Sequence, residues 1–144
     1  REGDWCRFFV YWSGDDRELR SFPSGRCADL DVRAIGALER ALRRADRRSC
    51  RAVFDAISGY DNWGRPMKGR MDPKLVSAKF LPAILKTLNN GSSAWWEIDG
   101  ALFALGRAEP ADIRKQLPLI LKFAQHHDWY LREGAFWEIG RAHV

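Results

Sequence analysis

The sequence predicts an all-α fold, a short α-α superhelix of about three helical pairs plus a leading helix. Three observations predict it. The second half of the chain repeats itself at an offset of 34 to 36 residues. Each half-repeat carries apolar residues at helical spacing, and helix-start signals stand ahead of each repeat. Such internal similarity is the signature of units that cannot bury their apolar faces alone and must stack.

The repeat is read directly from the residues. Residues 95–108 (WWEIDGALFALGRA) align with 129–142 (WYLREGAFWEIGRA) at an offset of 34, with six of fourteen positions identical. The identities are Trp95/Trp129, Gly100/Gly134, Ala101/Ala135, Gly106/Gly140, Arg107/Arg141 and Ala108/Ala142. Ahead of them, Leu81-Pro82-Ala83-Ile84-Leu85-Lys86 lies over Leu117-Pro118-Leu119-Ile120-Leu121-Lys122 at an offset of 36. The two-residue difference falls in the connecting turn, where a repeat tolerates an insertion.

Each half-repeat reads as one helix. Leu81, Ile84, Leu85 and Leu88 stand at i, i+3, i+4, i+7, as do Leu117, Ile120, Leu121 and Ala124. After the turn, Trp95, Ile98, Leu102 and Leu105 form a second stripe. Asp72-Pro73 supplies an N-cap and a proline at the first helical position, and Glu109-Pro110 opens the next unit in the same way. Ser93 and Asp128 are the expected N-caps of the second helices. Pro82 and Pro118 occupy one repeat position and predict a kink there, because proline removes a ladder hydrogen bond. Gly100 and Gly134 fall mid-helix, at about 1 kcal/mol each against alanine, which predicts close approach between neighbouring helices.

Upstream the pattern is weaker. Leu30, Ala34, Ala37, Leu38 and Ala41 fit a helix over about 30–45, and Val53, Phe54 and Ile57 fit another over about 49–58. Residues 30–58 therefore read as a degenerate repeat ahead of the repeats at 72–108 and 109–142. An inserted loop, 59–70, separates it from them. Trp5, Phe8, Phe9 and Trp12 predict the leading helix, and 13–29 reads as loop. The whole of 1–144 is expected to form a single domain.

The paired helices, the kinking proline and the ending Asp-Trp-x-x-Arg-x-Gly-Ala-x-x-x-x-Gly resemble the HEAT repeat. The likeness is nearest to the short bacterial kind first described in phycobilisome lyases, whose second helix reads D-x-x-V-R-x-x-A-A-x-x-L-G. The last unit supplies Asp128, Arg132, Gly134-Ala135 and Ile139-Gly140. The preceding unit departs from the pattern, with Ile98 in place of the arginine and Ser93 or Ala94 in place of the aspartate. The resemblance covers about residues 72–142 and implies a right-handed superhelix, with a partner surface on the concave face made by the second helices.

Composition bounds the function. Hydrophobic residues make up 46% and charged residues 30%, with 7 Trp, 8 Phe and 3 Tyr, a balance that builds a packed core rather than a disordered chain. No apolar run approaches the roughly 18 residues that a membrane span needs. The first residues lack the regions of a signal peptide, and the absence of an initial Met suggests a longer gene product. Cys6, Cys27 and Cys50 are odd in number and widely spaced, which favours free, mostly buried thiols in the cytoplasm over a disulfide framework. His126 and His127 are adjacent in a turn and His143 is terminal, so no metal-ligand spacing occurs. No phosphate-binding loop or nucleophile elbow is present, and no cofactor is expected.

Two functional readings follow. The first is a protein-interaction or adaptor module using Trp96, Tyr130, Arg132 and Glu133. In it Trp95 and Trp129 point inward between repeats, while Trp96 and Tyr130 stand exposed as candidate hot spots. The second is a nucleic-acid protein. The net charge of +5 includes Arg40, Arg43, Arg44, Arg47 and Arg51, which would form one phosphate-facing stripe on a continuous helix. Trp95, Asp99 and Arg132 resemble the Trp-x-x-x-Asp and following arginine of alkylpurine DNA glycosylases built from HEAT-like repeats. That resemblance implies aromatics that hold a damaged nucleotide and a carboxylate that stabilises charge at the sugar.

Overall fold

The computed structural model describes residues 27–44, 47–58 and 71–142, and among them every regular element is helical, with no strand. The predicted leading helix at 5–12, the loop over 13–26 and the inserted loop 59–70 lie outside the described residues. No helix among the described residues is long and apolar enough to cross a membrane. The chain divides into two compact units, residues 1–70 and 71–144.

In the first unit, α1 (Cys27–Arg44) packs against α2 (Arg47–Ser58). The expected helices at 30–45 and 49–58 are both present. Helix α1 begins at Cys27, so the last three residues of the expected loop are helical instead. Ala37, Leu38 and Ala41 of α1 are buried, as are Val53, Phe54, Ala56 and Ile57 of α2. One polar group is held inside α2. Asp55 accepts from Arg51 Nε at 2.8 Å, and the Ser58 hydroxyl donates to the Asp55 carbonyl at 2.9 Å. Cys50 is in no disulfide and is half-buried rather than fully buried.

The second unit holds two helical hairpins. Asp72 caps α3 (Pro73–Leu75), its carboxylate accepting from the Lys74 N–H at 2.9 Å with Pro73 in the first turn. A π-helical turn (Val76–Phe80) leads directly into α4 (Leu81–Asn89). The hairpin returns through α5 (Trp95–Leu105), which packs on α4. The second hairpin climbs through α6 (Pro110–Lys115) and α7 (Leu117–Ala124) and returns through α8 (Trp129–Ala142). Helix α8 packs on α6, on α7 and on α5, so second helix meets second helix. The first helices are joined as well, because the Ser77 hydroxyl accepts from the Glu109 N–H at 2.9 Å.

The prolines act as predicted, and their effect is larger than a kink. Both climbing helices are interrupted just before the Leu-Pro pair, at Phe80 (φ −114°, ψ −20°) and at Gln116 (φ −93°, ψ 2°). Pro82 and Pro118 offer no N–H to the carbonyl four residues back, and their rings crowd that carbonyl. The first joint widens, with the Leu81 N–H bonded to the Val76 carbonyl. The second tightens, with the Gln116 N–H bonded to the Ile113 carbonyl at 2.9 Å. One sequence position thus breaks two helices in opposite senses.

The core of this unit is apolar and layered. Val76, Phe80, Ile84 and Leu88 bury the climbing side of the first hairpin, and Ile98, Ala101, Leu102 and Leu105 bury its return. In the second hairpin Ile113, Ile120, Phe123, Leu131 and Ala135 are buried, whereas Leu121 is 50% exposed. The expected Leu117–Ala124 stripe is therefore rotated. Phe123, the larger side chain, takes the inward place and gains more from burial than Leu121 would.

The tight approach between hairpins falls at Gly106 rather than at Gly134. A Cβ on Gly134 would meet Leu102 Cδ1 at 3.5 Å, an ordinary contact distance. A Cβ on Gly106 would run into the carboxylate of Glu138, a fully buried residue of α8.

Candidate interaction surface

Two turns set the site. In the first, Ser93 does not cap α5 as expected. Its hydroxyl donates to the Thr87 carbonyl at 3.0 Å, and Glu97 reaches back to accept from the Ala94 N–H. The cap therefore moves one residue on, to Ala94. In the second turn Asp128 caps α8 as expected, accepting from the Tyr130 N–H at 3.0 Å. His126 Nδ1 accepts from the Asp128 N–H at 3.0 Å, and the His126 and His127 rings stack at 4.2 Å. Among the described residues no group of three or more His, Cys, Asp or Glu could hold a metal ion.

Because α5 and α8 pack in parallel from matching turns, their aromatic first residues come together. Trp95 stacks on Tyr130 with ring centroids 5.3 Å apart and planes at 23°, and Tyr130 stacks on Trp129 at 3.7 Å and 26°. The three rings form a ladder across the two helix starts. Trp95 is 47% exposed, Tyr130 45% and Trp129 53%.

The exposure of Trp95 and Trp129 corrects the expectation that both point inward. Leu131, Gly134, Ala135, Glu138 and Ala142 form the inward stripe of α8. Trp129 lies two residues before Leu131, about 200° round the helix. Trp95 precedes Ile98 by three residues and stands beyond the last packed layer. Tyr130 is exposed as expected, whereas Trp96 is only half-exposed. Glu133 is exposed.

Arg132 serves the turn. Its Nη1 donates to the carbonyls of His126 and His127, each at 2.8 Å, closing the loop that positions Trp129. Asp99 lies against α8 mid-helix, with Oδ1 3.8 Å from the Cβ position of Gly134. Trp95 is thus engaged with Tyr130 and Arg132 with the turn, while Asp99 lies beside Gly134. A shallow groove of about 490 Å³ on α8 is lined by Trp129, Arg132, Glu133, Phe136, Trp137 and Gly140, and includes neither Trp95 nor Asp99.

The arginines predicted to share a continuous helix do not. Arg40, Arg43 and Arg44 belong to α1, and Arg47 and Arg51 to α2. Arg40, Arg43 and Arg47 are exposed, while Arg51 is bound to Asp55. The stripe is therefore divided between two helices.

Sequence reasoning missed Phe136 and Trp137, 60% and 58% exposed on the outer side of α8. A signal was present. Phe136 replaces the buried Leu102 of the preceding unit, and α8 has no following helix among the described residues to cover it. No protein-family model matches the chain, and comparisons with curated proteins and with solved structures find no match.

Proposed function

We propose that the chain is a HEAT-like repeat module of the cytoplasm that binds a protein partner through the aromatic ends of its second helices. The observation that carries this reading is the Trp95–Tyr130–Trp129 ladder, three stacked rings left about half exposed. Trp and Tyr offer large contact area at small conformational cost, and they dominate binding hot spots. Glu133 lines the α8 groove with Trp129, and Trp96 follows Trp95 in the chain. The pairing of second helix with second helix, and of first with first through Ser77 and Glu109, supports the stacked-repeat architecture. Arg132 acts as the residue that fixes the turn beneath the ladder. The nucleic-acid reading is the weaker one, since two of its arginines, Arg51 and Arg132, are already engaged.

Peptide-display selection on the immobilised chain tests the proposal. Enriched peptides are expected to bind Trp95→Ala and Tyr130→Ala at least about tenfold more weakly, or 1.4 kcal/mol, with helical circular dichroism unchanged. Peptides that bind both variants as well as they bind the parent chain overturn it. Salt-dependent duplex binding in a gel shift, retained in both variants, transfers the function to the exposed arginines.

A further inference from the structure

The two hairpins turn in the same way, with one chemical difference. At the offset of 36, Asn90 corresponds to His126 and Ser92 to Asp128. In the first turn the Asn90 N–H donates to the Thr87 carbonyl at 3.3 Å, and Asn90 Oδ1 accepts from the Ser92 N–H at 3.0 Å. In the second the His126 N–H donates to the Phe123 carbonyl at 3.0 Å, and His126 Nδ1 accepts from the Asp128 N–H at 3.0 Å. A carboxamide oxygen accepts at every pH, whereas an imidazole nitrogen accepts only while it carries no proton. A backbone N–H can only donate, so the His126 ring is neutral in this turn, with its proton on Nε2. The turns then differ in length. Ser93 and Ala94 stand between Ser92 and Trp95, whereas Asp128 is itself the cap of α8, its Oδ1 accepting from the Tyr130 N–H. The bond to His126 therefore holds the residue that starts the helix.

We propose that His126 is a proton-operated latch on the start of α8, closed while its ring is neutral and released when the ring takes a proton. Protonated, Nδ1 carries a hydrogen that faces the Asp128 N–H, and that amide loses its acceptor. Charges of both signs surround the ring. From α8, the Arg132 guanidinium lies on the carbonyls of His126 and His127, and the Asp128 carboxylate is turned to the Tyr130 N–H. The His127 ring stacks on that of His126 at 4.2 Å. From α7 the neighbouring ring is the uncharged Phe123 at 6.4 Å, and Lys122 is exposed. Helix α5 sets Trp95 against Tyr130, while Glu97 is bound back to Ala94 and Asp99 lies beside Gly134. The effect therefore rests on the hydrogen bond itself. Its loss lets Asp128 turn, and Trp129 and Tyr130 lose the fixed helix start that aims their rings. The two bonds of Arg132 remain, so α8 stays folded and the change is confined to the turn. If the ladder is the binding surface proposed above, acid loosens that surface.

Heteronuclear NMR of the full chain tests the latch. At neutral pH the His126 ring should show the Nε2–H tautomer. The hydrogen-exchange protection factor of the Asp128 amide should fall at least about fivefold from about pH 7.5 to about pH 5, the weight of one ordinary hydrogen bond. The fall should follow the titration of the His126 ring. His126→Asn installs the carboxamide that serves the first turn, so it keeps an acceptor and removes the titration. Protection should then be level across the same range. His127→Asn leaves the Nδ1 bond in place and should keep the fall. An Nδ1–H tautomer at neutral pH overturns the proposal. So does level protection in the parent chain, a fall that persists in His126→Asn, or one that His127→Asn abolishes. None of these readouts needs a bound partner, so the latch and the partner reading fail separately.

Discussion

The carboxylate of Glu138 occupies the space above Gly106 that any larger residue would fill with its Cβ. Gly106 has φ −65° and ψ −4°, a conformation open to every residue, so a larger residue there meets the Glu138 carboxylate and not backbone strain. Gly140, the same position one repeat later, has nothing within 4 Å of its Cβ position. The two glycines therefore make opposite predictions. Gly106→Ala should destabilise the fold by about 1–3 kcal/mol, the usual cost of overpacking. Gly140→Ala should stabilise it by up to about 1 kcal/mol through helix propensity. Urea denaturation of both variants decides the matter. Adding Glu138→Ala to Gly106→Ala should give a non-additive result, because the first change removes the atoms with which the second collides.

Asp112 links the two first helices through Ser77, and pH should reveal it. Hydrogen bonds from Lys115 and from the Ser77 hydroxyl, with the Lys115 charge beside them, hold the Asp112 carboxyl below the usual aspartate range. A group with a lowered folded pKa contributes stability above its unfolded value, and that contribution is lost as pH falls through the folded value. Asp112→Asn should therefore lower stability at neutral pH, and the difference from the parent chain should shrink below about pH 4. The pair is exposed, so the effect should be small and should weaken in high salt. Thermal melts of both proteins between pH 7 and pH 2.5 measure it. An undiminished difference at the acid end would refute the linkage.

What could be read in the sequence was whatever depends on local spacing. The prolines at 82 and 118, the Asp72 cap and the Asp128 cap work through bonds to residues a few places away, and each acts where it was expected. Phase round a helix was harder, because it depends on what lies opposite. Leu121 and Phe123 compete for one inward direction, and only the neighbouring helix α8 selects between them. Trp95 and Trp129 looked inward by repeat equivalence, yet at a helix start the packed layer has already ended. The arginine stripe failed for a related reason, since it assumed one helix where the chain forms two. The outer face of α8 escaped notice because aromatic residues in a short stack suggest core until a partner helix is found missing.

Arg132 offers a test that separates turn closure from partner contact. Its Nη1 holds two carbonyls, of His126 and His127, in charge-assisted bonds at 2.8 Å. Arg132→Ala should cost about 1.5–3 kcal/mol, and Arg132→Lys should recover part of that as a single ammonium. Hydrogen exchange of the Asp128 and Tyr130 amides should quicken in both variants, since Asp128 loses the turn that orients it. If stability and exchange are unchanged while peptide binding falls, Arg132 is a contact residue and the turn stands without it.

The ring ladder can be tested without any partner. Trp95 on Tyr130 and Tyr130 on Trp129 are stacked within 5.3 Å, close enough for their transitions to couple. Near-ultraviolet circular dichroism should therefore show a band that disappears with Tyr130→Ala, the central ring, although that variant removes no tryptophan. Trp95→Ala should remove only part of the band, because the Tyr130–Trp129 stack survives. The pair energies should be modest, at the lower end of about 0.5–1.5 kcal/mol, since the rings are half in water. A double-mutant cycle on Trp95 and Tyr130 measures this directly. A coupling near zero, with an unchanged band in Tyr130→Ala, would mean that the rings move independently in solution. The ladder would then offer a partner no preformed surface, and binding would carry the full cost of ordering three side chains.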